Sequence, residues 1–412
     1  MHETMTILGI SLVILGYGFF SELLSRFNIS GPMVFTAVGV LLSPLAFGSE
    51  STSLHGGFVQ IIAEITLILV LFSDAAALHL KELRQTWKLP ARLLVVGLPL
   101  TIVFTTFAAK GFFPHESMLY LLLLALVLAP TDAALGKAVV SDKNVPAKIR
   151  ATINVESGLN DGIVFPVLIT LLAIIASGSA GGGQGEGWLV YVVKQVSLGS
   201  VFGAAVGILG AWVSRYVIKN NWMKEQYENL VPIALAIFSF YLSEHFGGNG
   251  FIAAFFAGLF LGNFSEELRD NVEDFAESEG ELLIMVCFLV FGIAFIPVTL
   301  PHWDLKVLIY SLLSLTFLRM IPVAVSLIGK ADFSTMLFIG WFGPRGIASI
   351  LYILIVIKEL GTIEGHETIY AVMSLTILLS ILLHGLSAKP YATLYSKNRA
   401  EESNPKLSDS AG

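Results

Sequence analysis

Apolar runs of about 20 residues recur along the whole sequence, and no other feature restricts its fold as strongly. A run of this kind crosses a bilayer as a helix, because every backbone amide and carbonyl in hydrocarbon must be bonded within the segment. The runs fall near 5–24, 31–47, 58–80, 91–110, 117–139, 150–177, 188–218, 228–246, 250–264, 282–300, 304–328, 333–357 and 366–388. Only 13% of the 412 residues are charged, against roughly 25% in soluble domains. The sequence therefore predicts an all-α membrane protein with about thirteen transmembrane helices, and it excludes a soluble enzyme.

The few charges are unevenly placed. Eighteen of the 24 Lys and Arg residues, from Arg26 to Lys406, lie in the odd-to-even connections or the C-terminal tail. The opposite side holds Lys110, Lys194, Lys306 and Lys358, while Arg319 and Arg345 fall inside runs. Basic loops stay cytoplasmic, so a multi-pass protein of the cell membrane is expected, with its N-terminus outside and its C-terminus cytoplasmic. The net charge of −7 reflects a local acidic stretch at 266–281, read as a solvated amphipathic linker helix, and gives nucleic-acid binding no support. A single cysteine, Cys287, forms no intrachain disulfide, and eight scattered histidines lack ligand spacing. No cofactor is expected. The N-terminus lacks the basic region of a secretory signal, so the first run is read as a retained helix.

Other features have bland readings. The glycine-rich segment 178–187 is read as a flexible external connection, and 391–412 as a short cytoplasmic tail, too small for a regulatory domain. Glu22 and Glu64 lie near span ends and are read as solvated or snorkelling. His79, His245 and His384 are isolated and read as structural. Gly199, Gly203 and Gly207 repeat at the four-residue spacing of close helix packing.

Chemistry is sought among the charges that remain in the runs, since each costs at least about 2.5–3.5 kcal/mol in mid-bilayer. The fifth run contains Ala129-Pro130-Thr131-Asp132 and the twelfth Gly343-Pro344-Arg345-Gly346. A proline removes a helix hydrogen bond and clashes with the preceding turn, so both helices should break there. Freed backbone groups at membrane depth are tolerated only where they line a cavity or bind something. Paired breaks seven spans apart point to inverted repeats, about 1–177 and 228–390, joined by the span at 188–218 within a transmembrane domain covering 1–390. The breaks would cross at the midplane, where Asp132 and Arg345 offset the half-helix dipoles. The sixth run carries Glu156-Ser157-Gly158-Leu159-Asn160-Asp161. Helical spacing sets Ser157 and Asp161 on one face with Asn160 beside them, and with the broken backbone at Thr131 they could supply hard oxygen ligands for a small cation. Glu156 needs a positive partner, and Arg319 is the unspent charge. That pair is assigned a structural role.

In this order and topology, the Ala-Pro-Thr-Asp, Glu-Ser-Gly-Leu-Asn-Asp and Gly-Pro-Arg-Gly segments resemble the electroneutral Asn-Asp branch of the monovalent cation/proton antiporters, the sodium/proton exchanger family, in a prokaryotic form. The resemblance covers nearly the whole chain. It implies that Asp161 is the ion- and proton-binding carboxylate, with Thr131 and Ser157 as ligands of the transported Na⁺. It counts Asp132 and Asn160 within the binding set, Glu156 with Arg319 as the buried pair, and Asp74 as a carboxylate lining the funnel. The activity so implied is Na⁺/H⁺ antiport, with Li⁺ or K⁺ as further cations, for pH and sodium homeostasis. Because Asn160 carries no charge, one-for-one electroneutral exchange is expected, by a homodimer in the lipid bilayer. K⁺/H⁺ antiport or K⁺ efflux on the same fold stays open, as does a passive cation channel. A membrane enzyme is disfavoured, since the runs contain no nucleophile–base pair.

Overall fold

The computed structural model describes residues 2–43, 57–80, 87–132, 145–179, 187–360 and 365–403, together with Leu135 and Val139. The chain is all-helical among the described residues. Its helices are α1 (His2–Arg26), α2 (Gly31–Leu41), α3 (Gly57–Ala76), α4 (Lys88–Phe112), α5 (Met118–Val127), α6 (Ala147–Ser179), α7 (Gly187–Lys219), α8 (Leu230–His245), α9 (Gly250–Phe264), α10 (Glu266–His302), α11 (Leu305–Leu327), α12 (Phe333–Trp341), α13 (Ile347–Leu360) and α14 (Glu367–Ser403). Polar residues mark several starts. The side chains of Ser117, Asn249, Asp304 and Asp332 accept the free amides of Tyr120, Ile252, Val307 and Thr335.

Six described helical stretches are long and apolar enough to cross a bilayer, and α2, α5, α8 and α9 are shorter apolar helices. Large apolar side chains cover the outer surface, with Leu12 70%, Phe19 79% and Trp212 67% exposed. Water would penalise such a surface, whereas lipid matches it.

Two boundaries differ from the sequence reading. The acidic stretch is not a separate linker but the first turns of α10, continuous with its apolar part through a π-helical turn at Ala276–Gly280. Its Leu268 and Val272 are buried while Glu266 and Glu267 are exposed, so it is amphipathic as expected. At the other end α14 continues to Ser403, so the first part of the supposed tail is helix with Tyr395 buried. Most of the glycine-rich connection, the far side of the first break and 404–412 lie outside the described residues.

Alternate connections meet on one face. Lys389 of α14 donates to the Ser25 carbonyl before the α1–α2 turn (2.8 Å), Arg92 of α4 to Ile328 after α11 (3.2 Å), and Arg215 of α7 to Phe264 at the end of α9 (3.3 Å). We call this the basic face. On the opposite face the Asn249 amide bonds the Gln195 carbonyl, and His366 before α14 lies 3.1 Å from Glu116 before α5.

The helices pack as two bodies. The scaffold is centred on α9, which lies against α3, α7 and α8, with α2 against α10. A Cβ at Gly203 would lie 2.3 Å from the Ala253 carbonyl oxygen, and one at Gly207 2.4 Å from that of Ala257. The glycine spacing of α7 thus serves close approach to α9. The core bundle contains α4, α5, α6, α11, α12, α13 and α14, and it meets the scaffold where α6 and α13 face α3, α9 and α10.

Candidate ion-binding site

The two broken helices meet in the middle of the core bundle. α5 ends at Val127, and past Pro130 the amide of Asp132 donates 2.8 Å to the carbonyl of Pro344 in the gap between α12 and α13. The Asp132 carboxylate then accepts the Ile347 amide (2.7 Å), the first residue of α13. Arg345 reaches the other way, its guanidinium donating to the Ala129 and Pro130 carbonyls at the end of α5 (3.2 and 3.3 Å). An acid therefore sits on a helix N-terminus and a base on a helix C-terminus, the pairing that backbone dipoles favour. Both side chains are buried.

The Gly-Pro-Arg-Gly sequence fits this crossing sterically. A Cβ on Gly346 would lie 1.9 Å from Asp132 Oδ2, and one on Gly343 1.8 Å from Arg319 Nε. Each glycine leaves room for a charged side chain from another element.

Beside the crossing, α6 presents its polar face to Thr131. The hydroxyls of Thr131 and Ser157 lie 3.0 Å apart, and Asn160 Nδ2 donates 2.6 Å to Thr131 Oγ1. Asp161, one turn beyond Ser157, is 4% exposed. Its Oδ1 and the Asn160 Oδ1 are buried with no hydrogen-bond partner among the described residues. Two unpaired acceptors beside two hydroxyls form an electron-rich oxygen cluster. A buried carboxylate in such surroundings is stable only when a proton or a cation neutralises it. The oxygen-only donors suit a hard monovalent cation.

Glu156 points away from this cluster, and Arg319 of α11 bonds both its oxygens (2.8 and 3.1 Å), with both side chains buried. Asp74 lies in the last turn of α3, with its carbonyl facing Gly158 of α6, and is exposed, as is Asn154 one turn below Gly158.

The structure adds three side chains that the sequence reading did not place at the site. Ser349 Oγ donates to the Val127 carbonyl (2.7 Å), and Ser380 Oγ accepts the Arg345 amide (2.6 Å). His384, read as structural, sits under the second break with Nε2 2.9 Å from the Trp341 carbonyl and Nδ1 3.2 Å from Ser380 Oγ. All three satisfy backbone groups that the breaks release, and a serine in an apolar run gives no sequence signal of that task.

A family profile described as sodium/hydrogen exchanger, transmembrane, matches residues 9–394. The chain belongs to the sodium/hydrogen exchanger family. Relatives of this exchanger chain include the K⁺/H⁺ antiporter NhaP2 of Shewanella sp. (strain ANA-3), 25% identical over 381 residues that make up 91% of this chain and 64% of the relative. The K⁺/H⁺ antiporter NhaP of Alkalimonas amylolytica is 26% identical over 378 residues, with coverage of 90% and 64%. The Na⁺/H⁺ antiporter of Schizosaccharomyces pombe is 25% identical over 385 residues, with coverage of 84% and 79%. The chain thus spans 64% of the length of the bacterial relatives. In fold it is similar to the sodium proton antiporter MjNhaP1 of Methanocaldococcus jannaschii, with a TM-score of 0.78 at 20% identity over 96% of this chain and 100% of that one.

Proposed function

We propose that the chain is a secondary active antiporter that exchanges Na⁺ for H⁺ at Asp161. The observation that carries this reading is the pair of unpaired buried oxygens, Asn160 Oδ1 and Asp161 Oδ1, beside the Thr131 and Ser157 hydroxyls. One carboxylate binds either a dehydrated cation or a proton, so each expels the other. Asn160 adds no charge, and a site loaded with one Na⁺ or one H⁺ is equally neutral, which makes one-for-one exchange electroneutral. Thr131, Ser157 and Asn160 supply neutral oxygens, Asp132 and Arg345 hold the crossing, Glu156 and Arg319 support it, and Asp74 lines the access route. The core bundle moves against the scaffold to present the site to either side. The scaffold also forms a homodimer. The distribution of Lys and Arg supports a cytoplasmic basic face and a place in the cell membrane.

The names of the bacterial relatives favour a second reading, K⁺/H⁺ exchange at the same site. Size and number of oxygen ligands separate the two ions. The test is a trapped pH dye in proteoliposomes, with Na⁺, K⁺ or Li⁺ added outside. Wild type is expected to move protons with at least one cation, and Asp161→Asn with none. A wild type that responds to no cation rejects antiport. Downhill cation flux that survives Asp161→Asn assigns a channel.

A further inference from the structure

Two features stand between Asp161 and the face opposite the basic one. One turn along α6, Phe165 packs against Phe251 of α9 (ring centroids 5.3 Å apart) and Tyr352 of α13 (5.5 Å), and Phe251 packs on Phe240 of α8 (4.8 Å). Phe165 and Tyr352 belong to the core bundle, Phe240 and Phe251 to the scaffold, so the ring cluster bridges the two bodies. Toward the same face, Lys358 Nζ near the end of α13 lies 3.0 Å from Glu64 Oε2 in α3. That ion pair also joins core to scaffold.

Helix α3 therefore carries a carboxylate on each side. Asp74 is exposed toward the basic face and Glu64 lies ten residues back, about 15 Å along the axis toward the other face. The side chains of Lys358 and Glu64 are 52% and 24% exposed, and an ion pair so open to water is weak. It is too weak to fasten the two bodies, and weak enough to break in each transport cycle.

We infer that Glu64 is a second cation-access carboxylate, serving the face opposite Asp74 and held by Lys358 while the ring cluster closes that face. When the core bundle moves, Lys358 travels with α13 and Glu64 stays with α3. The same displacement parts Phe165 and Tyr352 from Phe251 and Phe240. Glu64 is then the anionic group a monovalent cation meets first on that side, as Asp74 is on the other, and it raises the local cation concentration there. The inference rests on the antiport reading, but it concerns a residue outside the proposed site.

The test compares right-side-out with everted membrane vesicles, reading proton flux against Na⁺ or K⁺ concentration. Glu64→Gln is expected to raise the apparent KM about tenfold in one vesicle orientation only. Asp74→Asn should act in the other orientation, and Lys358→Met should lower KM in the orientation where Glu64→Gln raises it. The exchanged pair, Glu64→Lys with Lys358→Glu, separates access from stapling. It restores an ion pair but leaves a cation at position 64, so KM on that side should stay high, whereas a staple would be repaired. Glu64→Gln acting equally in both orientations or in neither, or a repaired KM in the exchanged pair, would overturn the inference. Wild type that exchanges in neither orientation removes the antiport reading itself, and this inference with it.

Discussion

Asp132 and Ile347 are joined by a 2.7 Å hydrogen bond from the Ile347 amide to the Asp132 carboxylate, so one broken helix caps the second half of the other. The cap works only because residue 346 is glycine, whose missing Cβ would lie 1.9 Å from the accepting oxygen. Arg345 performs the reverse service on the carbonyls that α5 leaves at Ala129 and Pro130. Backbone freed at membrane depth is thereby satisfied, and the Thr131 hydroxyl stays available to α6.

Replacing Gly346 by Ala should displace the Asp132 carboxylate and remove this cap. Loss of an N-cap costs about 0.5–2 kcal/mol, and a misplaced site lowers turnover by about a hundredfold. Asp132→Asn keeps an acceptor oxygen and should unfold close to wild type, whereas Asp132→Ala should not. Thermal unfolding in detergent together with dye-reported exchange checks both. Gly346→Ala with wild-type stability would show that the carboxylate does not depend on this glycine.

The buried pair of Glu156 and Arg319 should behave as support for the site. Glu156→Gln leaves a guanidinium buried without its anion and should cost about 3–5 kcal/mol. Glu156→Gln combined with Arg319→Met removes both charges and should regain most of that loss, with exchange restored in proportion. A double variant as unstable as the single one would rule out charge pairing as the reason the two residues are there. One that is stable yet inactive would give the pair a part in transport.

How far the site could be read beforehand follows from what charge costs in lipid. Pro130 and Pro344 stood out because each adjoins a charge or hydroxyl within an apolar run, and the structure places both breaks at one crossing. Glu156 and Arg319 stood out as ions with no solvent, and they meet at 2.8 Å. Ser349, Ser380 and His384 were illegible as capping groups, because their partners are backbone atoms on other helices and hydropathy carries no trace of such a bond. The continuation of α14 past residue 388 was missed for a different reason. Its last turns are polar, and what buries Tyr395 is stacking on Phe338, a contact between residues 57 positions apart.

Thr131 should matter to cation affinity more than to the fold's integrity. Thr131→Val removes the oxygen that accepts from Asn160 Nδ2 at 2.6 Å and faces Ser157, leaving an unpaired buried amide at about 1–3 kcal/mol. Thr131→Ser retains the hydroxyl. The apparent KM for the cation should rise about tenfold or more in the first variant and stay near wild type in the second. Equal KM values for the two variants would remove Thr131 from the binding set.

The end of α14 is tied to the start of α12 outside the spans, and this tie should be pH-dependent. Asp332 caps α12, accepting the Thr335 amide (3.1 Å) and hydroxyl (2.8 Å), and Arg399 of α14 contacts both Asp332 and Thr335. Burial pushes the Asp332 carboxyl up, but the Thr335 and backbone hydrogen bonds and the Arg399 guanidinium outweigh it and hold its pKa below the ordinary 3.8. A carboxylate whose folded pKa is depressed contributes its full stability above the unfolded value and loses it as pH falls through the folded one. The contribution should therefore be constant from neutrality down to about 3.8 and decline below that. Asp332→Asn keeps a capping oxygen but carries no charge and cannot titrate, so its unfolding temperature should lie below wild type at neutral pH and converge on it as the pH falls below 3.8. Scanning fluorimetry of the two proteins in detergent, from pH 7 to pH 3, is the measurement, and parallel curves throughout would exclude Asp332 as the titrating group.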